Sequence, residues 1–415
     1  MSIIELSYGH NTVTVDIPAD NLMGIYTTAT AEQADEGTVL QTALDNPIGS
    51  SRLRKILKPG EKVVIVTSDM TRPCPSDKML PPVLAELNAA GVQDADVTVV
   101  ASLGLHRPMT ETELEAMVGT EVFGRVRVIN SDPKEIVNLG TTSHGTPVEI
   151  FRPVVEADRR ICLGNLELHY FAGYSGGAKA ILPGCASRAC INNNHSMMVQ
   201  PEAATGQIDG NPVRRDLEEG VAMLDVDFIL NVIVGLDHNI EAAVAGDVTL
   251  AHRVGCEWVA QQGKISIPQQ ADIVLVSAGG FPKDLNLYQA QKALDNAAYA
   301  VKDEGIIILL AECGEGFGDG KFEQWLTKAD SPQTVLDWIR AEFVLGGHKA
   351  AAIAKVLVRA QVYMVSAMPA ELVNASGMSA FTDLGTAMRA AYGEMGPQAR
   401  VAVFPQGGSV LPCVG

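Results

Sequence analysis

"ADIVLVSAGGFPKDLNLYQAQKALDNAAYAVKDEGIIILLAE", residues 271–312, decides the fold. "ADIVLVSAGG" is a short apolar run, rich in β-branched residues and closed by Gly279 and Gly280, which reads as a buried strand. "LYQAQKALDNAAYAV" (287–301) carries its apolar residues at helical spacing, and "EGIIILLAE" (304–312) is a second buried strand. Strand, helix and strand in immediate succession make a βαβ unit, whose two strands run parallel. The run Ile306 to Ala311 is far too short to span a bilayer.

Working outward, the same alternation recurs in both directions. Downstream, two more helix–strand pairs end in "RVAVFPQGG" (400–408). Upstream, "KVVIVTSD" (62–69), "ADVTVVAS" (95–102), "RRICLGNLE" (159–167) and "DFILNVIVG" (227–235) read as strands. Between the first two lies a helix with Ser76 as candidate N-cap and Gly91 as its stop, and "TETELEAMVG" (110–119) opens on a capping box, Thr110 with Glu113. "IIELSYGHNTVTVDI" (3–17) alternates as a hairpin turning near Gly9-His10-Asn11. The expected class is α/β: two α/β domains with mainly parallel or mixed sheets and a ligand cleft between them. The pattern restarts near Pro268, which divides the chain into an N-terminal domain, 1–268, and a C-terminal domain, 269–415.

Bulk properties narrow the function. A chain of 415 residues, 47% hydrophobic and 19% charged, is globular and long enough for two cores. A formal net charge of −18 argues against a nucleic-acid binder, because neutralising phosphates requires clustered Lys and Arg. The N-terminal stretch has no basic segment followed by an apolar one, so no signal peptide is read, and no run is long enough for a membrane span. The seven cysteines are scattered with no C-x-x-C pair, which fits reduced, mostly buried thiols and a cytoplasmic location.

Polar residues gather where predicted strands end, the edge at which open α/β sheets bind ligands. In "TSDMTRP" (67–73), Asp69, Thr71 and Arg72 fall in the turn after a strand; backbone N–H groups there suit an anion, and Arg72 suits a carboxylate, although a capped turn with a surface Arg reads equally well. In "ASLGLHRP" (101–108), His106 is either an acid/base group or a structural histidine. "HYFAGYSGGAKAILPG" (169–184) packs glycines and Ser175 around Lys179, ten residues after His169. It is not a P-loop, since Ala178 separates Gly177 from Lys179 and Ala180 follows, nor is it G-x-G-x-x-G. Its glycines nevertheless permit close backbone approach, and Lys179 is expected where a helix begins. "INNNHSMM" (191–198) carries His195. In "GGFPKDLNLYQAQKALD" (279–295), Gln289 and Lys292 share a helical face, as a functional pair or as ordinary surface groups. His106, His169 and His195 fit no zinc spacing, and a soft metal there would need sulfur from elsewhere.

Together "SDMTRP", "LGLHR", "HYFAGYSGGAKAILPG", "NNNHS" and "FPKDLNLYQAQKA" resemble the nickel-dependent lactate racemase family, in the family's order across about residues 65–295. The resemblance implies a nickel-pincer nucleotide: a pyridinium mononucleotide whose two sulfur-bearing arms and ring carbon clasp nickel. His195 matches the nickel-ligating histidine. Lys179 matches a lysine that attaches to or contacts a cofactor arm. Asp69, Met70, Thr71, Arg72, Ser175, Gly176 and Gly177 match cofactor-contacting positions. His106 and His169 match the paired acid/base histidines, Gln289 and Lys292 a polar pair near cofactor and substrate, and Arg72 with Lys292 would hold the substrate carboxylate. The implied partners are a small 2-hydroxy acid and proteins that build and load the cofactor.

The implied reaction inverts a 2-hydroxy acid by hydride transfer through a 2-keto acid, because the C2 hydrogen is too weakly acidic for a histidine to remove as a proton. Lactate, longer aliphatic hydroxy acids, malate-like diacids and sugar acids all fit at this point. A pyridine-nucleotide dehydrogenase would need a dinucleotide fingerprint that the sequence lacks. A non-catalytic cofactor carrier would keep the loop and Lys179 but have no use for the histidine pair.

Overall fold

Residues 271–312 form a βαβ unit, with strand Ala271–Ser277, helix Leu287–Ala297 and strand Val301–Leu310, the two strands parallel. The helix is shorter than its apolar pattern because Tyr299 and Ala300 turn back on Asn296 and Ala297, which feeds the chain into the next strand. The computed structural model describes residues 2–28, 35–235 and 238–415. The chain divides into two units, Thr30–Gln261 and Met1–Ala29 together with Gln262–Gly415.

This division differs from the one expected at 268. The break falls at Gln262, and the first residues belong with the C-terminal unit. The reason is the alternation of the N-terminal hairpin, Ser2–Tyr8 against Asn11–Ile17. It places Ile4, Leu6, Val15 and Ile17 in one core with Ile273, Leu275, Ile306 and Ile308. Burying each such side chain is worth about 1.5–3 kcal/mol, so the hairpin follows its apolar face rather than its place in the chain. Strand Leu22–Ile25 then joins the edge of a parallel six-stranded sheet beside Val401–Phe404.

The other unit is built on a second six-stranded sheet. Its order is Ile240–Gly246, Phe228–Val234, Arg159–Asn165, Val63–Ser68, Val97–Ser102 and Arg127–Asn130. All neighbours are parallel except the first pair, so the sheet is mixed. Val63 to Val66 are buried on both faces, as strands covered by helices must be. Helix Ser76–Ala89 covers one face with Leu80, Leu84 and Leu87. Ser76 is its first residue rather than its cap. Pro75 takes the cap position, and the Ser76 hydroxyl bonds Thr67 Oγ1 at 2.7 Å. The capping box Thr110–Glu113 is present at the start of helix Glu111–Val118. All seven cysteines are thiols and five of them are buried. Among the described residues no helix is long and apolar enough to cross a membrane.

Candidate active site

Three adjacent strands, Arg159–Asn165, Val63–Ser68 and Val97–Ser102, end on the same edge of the sheet and deliver the polar loops there. After Ser68 the chain turns on Asp69, whose Oδ1 accepts from Thr71 N at 3.0 Å and from Thr71 Oγ1 at 2.6 Å. Asp69 Oδ2 meets His106 Nδ1 at 2.5 Å, so the turns after two neighbouring strands are joined by one carboxylate. The carboxylate is buried while the His106 ring is 41% exposed. Burial opposes the charge on Asp69, but hydrogen bonds from His106 and Thr71 outweigh it and hold the carboxyl below its usual range. Because Asp69 accepts, His106 carries its neutral-state proton on Nδ1 and presents Nε2 as a lone pair, the arrangement of an oriented general base. Met70, Thr71 and Arg72 are all exposed on the same turn.

The lowered Asp69 pKa fixes the sign of a pH effect. Stability from this pair is fully present above the ordinary carboxylate value of about 4 and is lost as pH falls through the lower folded value. Asp69→Asn should slow turnover about 10- to 100-fold, the worth of one charge-assisted hydrogen bond, and should flatten that acid limb of stability. Steady-state kinetics and denaturation at several pH values check both. An unchanged rate would remove Asp69 from the support of His106.

The glycine-rich stretch is a small hairpin followed by a tight turn. Leu168–His169 pairs antiparallel with Gly173–Tyr174. Ser175 closes the base of the hairpin: its Oγ accepts from Glu167 N and donates to Asn165 O, each at 2.8 Å. Gly177 to Ala180 form a single 3-10 turn, so Lys179 does not open an α-helix as expected; the next one, Arg188–Ser196, begins nine residues later under a Ser187 cap. Gly177 has φ +57°, and a Cβ there would lie 2.7 Å from the buried His252 ring, so the turn needs glycine on two counts. Gly177 N donates to Asn231 Oδ1 at 2.8 Å.

Lys179 Nζ lies 3.2 Å from His169 Nε2 and 5.5 Å above the Phe171 ring centroid. Burial, helped by the charges of Arg214 and Arg72, holds its amine well below the usual lysine range. His169 Nδ1 accepts from Ala172 N at 3.2 Å, which places the neutral-state proton on Nε2, pointing at the lysine. A neutral Lys179 amine accepts that proton, and the same lone pair makes it a nucleophile.

His195 sits in the last turn of helix Arg188–Ser196 and is buried. Phe171 packs edge-on against His169 at 4.6 Å and also meets His195 at 4.9 Å between centroids, so one aromatic ring separates the two imidazoles. The structure therefore gathers Asp69 with His106, and His169 with Lys179 and His195, along one sheet edge. Gln289 and Lys292 belong to the other unit, on the helix capped by Asn286; Gln289 is exposed and Lys292 half-buried. In the same loop Asp284 is buried and accepts from Gly9 N at 2.7 Å and Glu312 N at 3.1 Å, anchoring the hairpin turn to a strand end.

Family models match at both ends of the chain: "Lactate racemase N-terminal domain" over residues 8–206 and "Lactate racemase C-terminal domain" over residues 267–412. The chain belongs to the lactate racemase family. It is 35% identical to a lactate racemase of Thermoanaerobacterium thermosaccharolyticum, over 99% of each chain. It is 33% identical to a lactate racemase of Lactiplantibacillus plantarum, over 99% of this chain and all of that one. The solved apoprotein of the Thermoanaerobacterium enzyme superposes with a TM-score of 0.93, covering 99% of this chain and 100% of the other. A Thermotoga maritima protein at 17% identity and a TM-score of 0.68 shares the fold, over 94% of this chain and 100% of its own.

Several residues behind the site carry no motif. Arg214, fully buried on helix Pro212–Ala222, donates to the carbonyls of Ala172, at 3.2 Å, and Tyr174. Burial pushes its guanidinium down to about 10, still charged at neutral pH. Asn211 Nδ2 donates to Phe171 O at 2.9 Å. These two side chains hold the backbone that carries the aromatic cluster. In the sequence Asn211 stands directly before Pro212, the pattern of a helix N-cap, and Arg214 is one of a pair of arginines early in an amphipathic helix. Asn231 leaves a clearer trace, a lone amide inside the apolar run "FILNVIV".

Proposed function

We propose that the chain racemises or epimerises 2-hydroxy acids, lactate or a relative of it, with a nickel-pincer nucleotide held on the sheet edge that carries Lys179 and His195. The observation that supports this most is the meeting of His169, a lysine amine pressed towards neutrality and the buried His195 around one phenylalanine. The donor set fits the cofactor. Among the described residues no group of three or more His, Cys, Asp or Glu could hold a metal, so a nickel ion held by His195 would need its other donors from a bound group, and pincer sulfurs and a ring carbon would be suitable soft donors. Lys179 has the lone pair needed to contact or bond a cofactor arm, and the 175–177 backbone with the 69–72 turn would lie against the nucleotide.

When bound, the pyridinium cofactor supplies the hydride acceptor that C2 chemistry of a 2-hydroxy acid requires. The chain's residues handle protons and position. His106, held by Asp69, takes the hydroxyl proton on Nε2, and Asp69 stabilises the imidazolium that results. His169 returns a proton to the substrate oxygen after the ketone has turned; to do so it starts the step protonated on both nitrogens, giving up the bond that Nδ1 accepts from Ala172 N in the neutral form. The two imidazoles start a turnover in opposite protonation states and exchange them, so the reverse reaction uses them in the opposite order. Arg72 would grip the carboxylate, which stays fixed while the rest of the substrate turns. Cytoplasmic proteins that build and load the nucleotide would be its partners.

The test is a panel of single-enantiomer 2-hydroxy acids incubated with the loaded protein and followed by chiral analysis. Either enantiomer of the true substrate should run to an equal mixture with no added pyridine nucleotide. Turnover that requires added NAD would favour a dehydrogenase, and a panel that stays optically pure would favour a carrier.

A further inference from the structure

A metal-binding imidazole must offer one nitrogen as a lone pair, and the hydrogen bond at its other nitrogen decides which. His195 Nδ1 lies 3.0 Å from Asn194 Oδ1, its neighbour on the same helix. Which end of the Asn194 amide faces the ring is settled on its far side. Asn194 Nδ2 is 2.8 Å from Asp216 Oδ2 and 3.1 Å from Val213 O, both acceptors, so that end must be the NH2. The oxygen therefore faces His195, Nδ1 must carry the proton, and Nε2 is the lone-pair nitrogen.

Asp216 is itself completely buried and held from several sides. Its Oδ1 accepts from Thr142 Oγ1 at 2.5 Å, with His144 Nδ1 3.8 Å away, and its Oδ2 accepts from Thr146 Oγ1 at 2.8 Å as well as from Asn194. A buried carboxylate cannot turn into a donor without losing these partners, so it fixes the amide, and the amide fixes the ring. We propose that Asp216 and Asn194 are positioning residues that lock His195 in the Nδ1–H tautomer and so present Nε2 to the metal. The inference rests on the reading of His195 as a nickel ligand. It explains why a charged side chain sits at the centre of helix Pro212–Ala222 with no solvent contact. Through Arg214 and Asn211 the same helix also holds the His169 loop, so one element sets both halves of the site.

The test begins without nickel. Nitrogen-15 shifts of histidine-labelled apoprotein, with the His195 signal assigned by its loss in a variant, report which ring nitrogen is protonated in the neutral form. Wild type should show a protonated Nδ1; a protonated Nε2 overturns the proposal whatever any variant does. Asn194→Leu should move His195 towards the Nε2–H form and speed nickel loss from the loaded protein to a chelator about 10- to 100-fold, the usual effect of losing an outer partner of a ligand. Asn194→Ala removes the acceptor without adding bulk and should do the same if the Leu variant fails to fold. If His195→Ala sheds nickel while both Asn194 variants leave tautomer and chelator rate at wild-type values, the relay is wrong and the ligand assignment survives. If His195→Ala keeps its nickel, the ligand assignment fails, and the relay loses its purpose with it.

Discussion

His195→Ala should strip nickel from the loaded protein, with racemisation falling to background. Removing a ligand is more severe than removing an outer partner, so the affinity loss should exceed the 10- to 100-fold range typical of the latter. The protein should remain folded. The ring is buried beside Phe171, and its loss leaves a cavity on one side of an otherwise intact hairpin. Each kcal/mol so lost lowers the melting temperature by about 2–4 °C in a unit of this size. Elemental analysis of purified wild type and variant, with melting curves on both, checks the expectation. Nickel at the wild-type ratio in the variant would place the metal elsewhere.

His106→Ala and His169→Ala should each cost at least roughly a hundredfold in racemisation, the lower end for a positioned acid or base, with nickel content unchanged. The two variants differ in their side effects. His106→Ala leaves the buried Asp69 carboxylate without the hydrogen bond that most lowers its pKa, so the variant should be less stable near neutral pH. His169→Ala removes a ring from an aromatic cluster and a partner from Lys179, with no buried carboxylate exposed, so the loss should be mainly in rate. Kinetics in both directions, with denaturation curves alongside, separate the cases. A variant that racemises at the wild-type rate has lost no catalytic group.

The parts of this molecule legible in the sequence are those governed by local rules. Apolar runs gave the strands, spacing gave the helices, and Thr110 with Glu113 announced a cap that is present. The site loops were legible because they follow strands, and sheets of this kind place ligands there. Three features were hidden, each for a physical reason. The hairpin at residues 2–17 is a two-stranded sheet of its own that shares a core with strands beginning more than 250 residues away; that packing is set by complementary apolar faces, and periodicity does not say which core a face will meet. Lys179 lies in a 3-10 turn because glycines at positive φ reshape the chain, and a pattern of Gly and Ala does not distinguish this from a helix start. Arg214 and Asp216 look like the polar face of a surface helix, but both are buried and hydrogen-bonded to groups from other parts of the chain. Burial of a charge depends on distant partners, here backbone carbonyls from residues 172–174 and hydroxyls from 142 and 146, and these meet only in the folded chain.

The most direct test of the account follows the hydrogen on the substrate's C2. A single enantiomer is racemised by the loaded protein in heavy water, and proton NMR reads the deuterium content at C2 as optical activity is lost. Movement of that hydrogen as a hydride, with His106 and His169 handling only the oxygen-bound proton, predicts that C2 keeps its original hydrogen through many inversions. Substrate deuterated at C2 should then react more slowly if that transfer limits the rate, and trapping should recover a trace of 2-keto acid. Solvent deuterium entering C2 once per inversion would mean that a base removes the hydrogen as a proton, and would contradict the proposed mechanism even with nickel bound and both histidines essential.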